Sequence, residues 1–202
     1  MKPTRPELPK EFIAVRKRQR IMNAMAELCA EQGYEATKIA DIVRRAGVAR
    51  KTLYDNFDGK EEVFLATFDG AVKEVTKRIE EACAEVGPEW SDRVAAGLRA
   101  FLTYVAEEPA PARLCLIEAT SAMPAASARY DDAMQRVADM LGENAPAETG
   151  LPDTTAETLI GGVAWILHQK IRRGEAERAL DLMPELEDFV LLPYRGVGKL
   201  KH

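Results

Sequence analysis

The side chains best suited to chemistry on another molecule gather near the N-terminal end of this sequence. Arg50, Lys51, Thr52, Tyr54 and Asn56 stand close together, and Lys60 follows just beyond them. Each can donate a hydrogen bond, and Arg50, Lys51 and Lys60 carry positive charge as well. Such a group offers charge-assisted contacts to phosphate oxygens and directional contacts to base edges. Catalytic arrangements are missing from the rest of the chain. His168 and His202 are its imidazoles, and Cys29, Cys83 and Cys115 lie far apart with no metal-ligand spacing. No Gly-rich phosphate loop follows a strand. We therefore expect no enzyme, no metal and no cofactor, with the thiols buried and reduced.

These donors need a short rigid helix beneath them, and the flanking sequence supplies it. Ile21, Ala24, Met25, Leu28 and Cys29 repeat at three and four residues, which predicts a helix from about Ile13 until Gly33 stops it. Thr37, as N-cap, opens a second helix carrying Ile39, Ile42, Val43 and Ala46, and Gly47 ends it. Gly47-Val48-Ala49 is a three-residue turn, and Arg50–Phe57 begins beyond it. Two short helices about a Gly-centred turn make a helix-turn-helix, because glycine takes the positive φ of a sharp reversal. With Ile39, Ile42, Leu53 and Phe57 turned inward against Met25 and Leu28, Arg50, Lys51, Thr52, Tyr54 and Asn56 are left on the outward face. Asp58 and Glu61 stand in capping-box spacing at the start of the next helix.

Charge supports this division. The chain holds 28 Lys plus Arg and 33 Asp plus Glu, net −5, but residues 1–60 hold 13 of the basic and 8 of the acidic side chains. The head is thus net +5 and the remainder net −10, the asymmetry expected when one end meets phosphate. Arg16-Lys17-Arg18-Gln19-Arg20 covers a full helical turn, so only part of it can face DNA. Arg44 and Arg45 read as a solvated face. Pro3, Pro6 and Pro9, with Lys2, Arg5 and Lys10 between them, make residues 1–12 an extended basic arm, either a free tail or a minor-groove reader.

In the segments Gly33–Thr37, Ile42–Val48 and Thr52–Glu61 the sequence resembles the TetR family of bacterial transcriptional regulators. That resemblance implies a DNA-binding homodimer, with Thr37 and Tyr54 on phosphates, Lys60 setting its ammonium and the start of the fourth helix against the backbone, and Arg50, Lys51 and Thr52 reading bases. Ala49 departs from the family's frequent serine and cannot cap the recognition helix, which costs about 0.5–2 kcal/mol relative to Ser.

Residues 61–202 keep the helical period, with helices expected at about 60–86, 90–107, 112–122, 127–142, 154–173 and 184–194. The fold class is all-α: a three-helix helix-turn-helix head at 13–60 on a helical-bundle body that binds a ligand and dimerises. The helix at 154–173 has a stripe of Leu159, Ile160, Val163, Ile166 and Leu167, with Gly161, Trp165 and His168 on another side. Those three, with Leu186, Phe189 and Val190 of the final helix, are the expected dimer surface; whether Trp165 and His168 face dimer or pocket stays open. Phe101, Tyr104, Leu114, Ile117, Glu118 and Met123 are the expected ligand walls, the alternative for Glu118 being an ion pair with Arg113. The expected partners are a near-palindromic double-stranded operator and a small lipophilic effector, acting on a cytoplasmic repressor with no membrane contact. The competing reading is a helical adaptor or small-molecule binder whose head does not touch DNA.

Overall fold

A computed structural model describes residues 10–143, 145, 146 and 150–196, and among them every regular element is helical. The chain forms two compact units, Met1–Thr67 and Phe68–His202. Their division falls inside a long helix, a few residues beyond the boundary expected at 60/61.

In the first unit α1 spans Lys10–Ala36, α2 Ile39–Ala46 and α3 Arg50–Tyr54, and α4 (Lys60–Glu85) begins. The apolar residues that repeat along α1, Ile21, Ala24, Met25, Leu28 and Cys29, are buried, as are Ile42, Leu53, Phe57, Val63 and Phe64. The helical period thus becomes one core, which holds helices too short to persist alone. Helix α1 starts at Lys10 rather than Ile13, and the rest of the arm expected at 1–12, residues 1–9, lies outside the described residues. Gly33 breaks α1 at φ 79°, but the chain regains helical geometry to Ala36.

Helix α2 ends as expected. Gly47 takes φ 61°, its N–H donating to the Arg44 carbonyl and that of Val48 to the Val43 carbonyl, at 3.2 and 3.1 Å, a Schellman closure. Its start differs from expectation. Lys38, not Thr37, is the N-cap, and the Asp41 carboxylate accepts the Lys38 N–H at 3.3 Å. The entry to α4 is displaced in the same way. The Asp58 N–H donates to the Glu62 carboxylate rather than to Glu61, because the helix begins at Lys60 and Glu62 occupies its third position.

In the second unit α4 continues, followed by α5 (Trp90–Glu107), α6 (Pro109–Arg113), a π-turn at Leu114–Glu118, α7 (Ala119–Ala122), α8 (Pro124–Gly142), α9 (Thr155–Arg172), a 3₁₀ segment Ala176–Leu182 and α10 (Met183–Gly196). The expected helix at 112–122 is thus a run from Pro109 interrupted by the π-turn, and the 3₁₀ segment was not anticipated. Leu102, Val105, Leu159, Val163, Leu167, Leu182, Leu186 and Val190 belong to a single core. Among the described residues no helix is long and apolar enough to cross a membrane.

Candidate nucleic-acid interface

Helix α3 has five residues and no side-chain N-cap, since Ala49 at that position has none to give. Leu53 and Phe57 anchor it inward, and at its far end the Asn56 amide donates to the Thr52 carbonyl at 2.8 Å. Arg50, Lys51 and Tyr54 stay exposed, and Thr52 is half-buried beside them. Tyr54 keeps 45% of its surface, with the Arg50 guanidinium donating to its hydroxyl at 3.4 Å and lying 5.7 Å from its ring. Lys51 makes no ion pair among the described residues. A free ammonium, a guanidinium and a phenol on one short helix form a donor surface for phosphate and base edges.

Other residues assigned to DNA have inward work. Thr37 is 1% exposed, and its hydroxyl donates to the Gly33 carbonyl at 2.8 Å, which satisfies the break in α1 and leaves nothing directed outward. Lys60 is half-buried: its ammonium donates to the Tyr34 carbonyl at 3.1 Å and lies 3.9 Å from the Tyr34 ring centre. Of its three N–H donors, one is thereby engaged. The side chain of Asn56 closes α3 rather than facing out freely.

The other cations of the head divide sharply. Arg45 pairs with Glu27 at 3.0 Å and Glu31 at 2.6 Å, so its hydrogen bonds hold the Glu31 carboxyl below the usual carboxylate range and its own pKa rises. Arg44 pairs with Asp41 at 2.7 Å. Arg18 and Arg20, from the basic run of α1, donate to the Asn56 and Gly47 carbonyls at 2.8 and 3.1 Å. Their recruitment was missed because cations ten or more residues apart from a carbonyl in sequence leave no local signal.

In the second unit the assigned ligand residues differ in exposure. Tyr104 and Leu114 are buried, while Phe101, Ile117, Glu118 and Met123 are half-buried. Burial pushes the Tyr104 hydroxyl up, and pushes the Cys115 thiol in the π-turn up to about 12. Glu118 pairs with Arg113 at 3.9 Å, the alternative foreseen for it. A groove of about 370 Å³ opens instead between α4 and α5, lined by residues including Arg78, Ala82, Val86, Arg99 and Thr103.

The assigned dimer residues also separate. Gly161 is exposed and Trp165 is 63% exposed, stacked 5.9 Å from the half-buried His168 ring. Phe189 is 41% exposed, and its ring approaches to 2.9 Å the point where a Cβ on Gly162 would stand. Leu186 and Val190 do not belong with them, because they are buried in the unit's own core. Leu192, one turn beyond Phe189 and unassigned from sequence, is 65% exposed, and Ile166 is exposed rather than inward.

Residues 21–67 match "Bacterial regulatory proteins, tetR family". The chain is 33% identical over 69 residues to the fatty acid metabolism regulator protein of Bacillus subtilis, covering 34% of this chain and 36% of that protein. It is 23% identical over 183 residues to the HTH-type transcriptional activator FasR of Mycolicibacterium smegmatis, 90% of this chain and 83% of that one. It thus spans about a third of the first relative's length and most of the second's. The fold matches the transcriptional regulator FadR of Bacillus subtilis, solved in complex with stearoyl-CoA, with a TM-score of 0.74 and 19% identity over 85% of this chain and 96% of that one. Residues 21–67 thus carry the helix-turn-helix segment of the tetR family of bacterial regulatory proteins, and the described residues share the all-helical fold of solved TetR-like regulators.

Proposed function

We propose that this chain is a sequence-specific DNA-binding transcriptional regulator, a homodimeric cytoplasmic repressor released from its near-palindromic operator by a lipophilic effector of the long-chain acyl thioester class. The observation that carries the DNA reading is the exposed Arg50, Lys51 and Tyr54 surface on α3, a helix held from beneath by Leu53 and Phe57. The acyl class is supported by the stearoyl-CoA held by the FadR relative and by body helices that bury aliphatic side chains. Pairing of Glu118 with Arg113 weakens the case for a cationic effector. No catalytic step is proposed for any residue. Helix α4 starts in the first unit and ends in the second, so an effector that shifts it is felt by the recognition helix. Two such helices must span about one turn of DNA, ~34–36 Å, and a small change in that spacing costs affinity. By linkage, the effector binds free protein more tightly than operator-bound protein by the factor with which it weakens the operator complex.

The test is retention of a duplex that the protein itself selects from a random pool. Binding should fall steeply with salt and should be released by stearoyl-CoA at constant ionic strength. Retention unchanged at saturating stearoyl-CoA rejects the effector class, and failure to enrich any sequence rejects the DNA reading.

Base reading and phosphate holding separate by substitution. Lys51→Ala is expected to cost about 1–3 kcal/mol at one position of each half-site and to relax specificity there. Tyr54→Phe should weaken every duplex alike. Lys60→Ala should reduce the salt slope by about 1 per subunit; because its ammonium also holds the Tyr34 carbonyl, it should lower the melting temperature as well. Equal loss on all sequences for Lys51→Ala would assign that side chain to the backbone.

A further inference from the structure

A five-residue helix without a side-chain cap cannot keep its own orientation, yet base readout requires it to hold position to a fraction of an ångström. Packing of Leu53 and Phe57 fixes its depth, but two apolar anchors on one side leave rotation about the helix axis and tilt of its far end weakly opposed. Arg18 reaches that end. Its guanidinium donates to the Asn56 carbonyl at 2.8 Å, and its Cζ lies 4.1 Å from the centre of the Phe57 ring. The same residue therefore grips the last turn twice, through an orphan carbonyl at a helix C-terminus and through the aromatic anchor beneath it. It is half-buried and makes no ion pair with a carboxylate among the described residues, so no neighbour competes for it. Its neighbour in the run, Arg20, grips the turn before α3 through the Gly47 carbonyl.

We infer that Arg18 is a positioning residue for the recognition helix: it replaces the missing N-cap restraint by clamping α3 from its C-terminal end, and so sets sequence selectivity without touching DNA. The inference rests on the reading of α3 as the DNA-facing helix.

Two variants and two measurements test it. Arg18→Met keeps an unbranched apolar stem on Phe57 and removes the hydrogen bond and charge, whereas Arg18→Lys keeps a donor and the charge but loses the planar guanidinium. Hydrogen exchange on the free full-length protein should show the Asp55, Asn56 and Phe57 amides of Arg18→Met protected about tenfold less than in the wild type. The amides of α2 should be unchanged, and Arg18→Lys should fall between. For binding, the probes are the duplex enriched from a random pool by the wild type and a scrambled duplex of equal length. Arg18→Met should lower the affinity ratio of the two by about tenfold, leaving the salt slope on the scrambled duplex as in the wild type. Unchanged α3 protection overturns the clamp. A salt slope lowered by about 1 per subunit with selectivity intact also overturns it, since Arg18 would then be a phosphate contact. If the wild type enriches no sequence, it is the DNA reading that fails, and the exchange ratio alone then upholds or overturns the clamp.

Discussion

Trp165→Asp is expected to yield a folded monomer whose affinity for its operator falls by roughly ten-thousandfold or more, although the head is untouched. With 63% of its surface exposed, the indole contributes little to the fold of one chain, so the substitution leaves the core of α9 and α10 intact. The other large exposed apolar side chains of these two helices are Ile166 on α9 and Phe189 and Leu192 on α10. Burying each such side chain against a symmetry mate stabilises the pair by about 1.5–3 kcal/mol. A carboxylate placed there must instead be desolvated without a partner, at a cost that outweighs several of those contacts. A lone subunit then holds one half-site, and halving the binding free energy of a nanomolar complex leaves affinity in the range of roughly 10 μM or weaker. Sedimentation of the variant and retention of the selected duplex give the two readouts. An intact dimer would move the interface away from α9 and α10. A monomer that still binds at wild-type affinity would show that each head acts alone.

The second large effect falls on the head alone. Phe57→Ala removes one of the largest fully buried side chains of the first unit and the platform on which Arg18 lies. Large-to-small changes of this kind cost about 3–5 kcal/mol, which approaches the whole stability of a unit of this size. None of the side chains in the core of the second unit comes from the head, so that unit should persist. We expect two melting transitions, the lower one carrying loss of the head's helical signal, with a dimer still present by sedimentation and retention of DNA abolished. A single transition at the wild-type temperature would show that Phe57 bears little of the head's stability. Phe57→Leu should restore most of what Phe57→Ala loses.

The helix-turn-helix was readable because its signals are local. A Gly at φ 61° between two apolar-periodic segments, with Leu53 and Phe57 one turn apart, needs no knowledge of distant chain. What sequence missed depends on partners far away or on a small offset. Thr37 had the residue type of an N-cap and of a phosphate ligand, but the break at Gly33 created a nearer acceptor and drew the hydroxyl inside. Leu186 and Val190 were assigned to the dimer surface together with Phe189 because the apolar residues of the final helix were grouped as one set, with no local signal of which ones meet its own core. The wall residues Leu114, Ile117 and Glu118 were assigned to one helix of ordinary period at about 112–122, from a run of consecutive apolar residues and the carboxylate that follows it. The π-turn there adds a residue to one turn, rotating everything after it by about 100° relative to that period. Met123 lies beyond α7 in extended backbone, at φ −168°, outside the helix that carries Leu114.

Gly162 bears on which chains can pair. With the Phe189 ring 2.9 Å from where its Cβ would stand, the seat of that ring exists only because the residue has no side chain. An alanine there would displace the ring and reshape the exposed face that carries Phe189, the proposed seat of a second subunit. Two regulators of like fold in one cell, differing at this position, would thus present mismatched faces and resist exchanging subunits, so each would keep its own operator and its own signal.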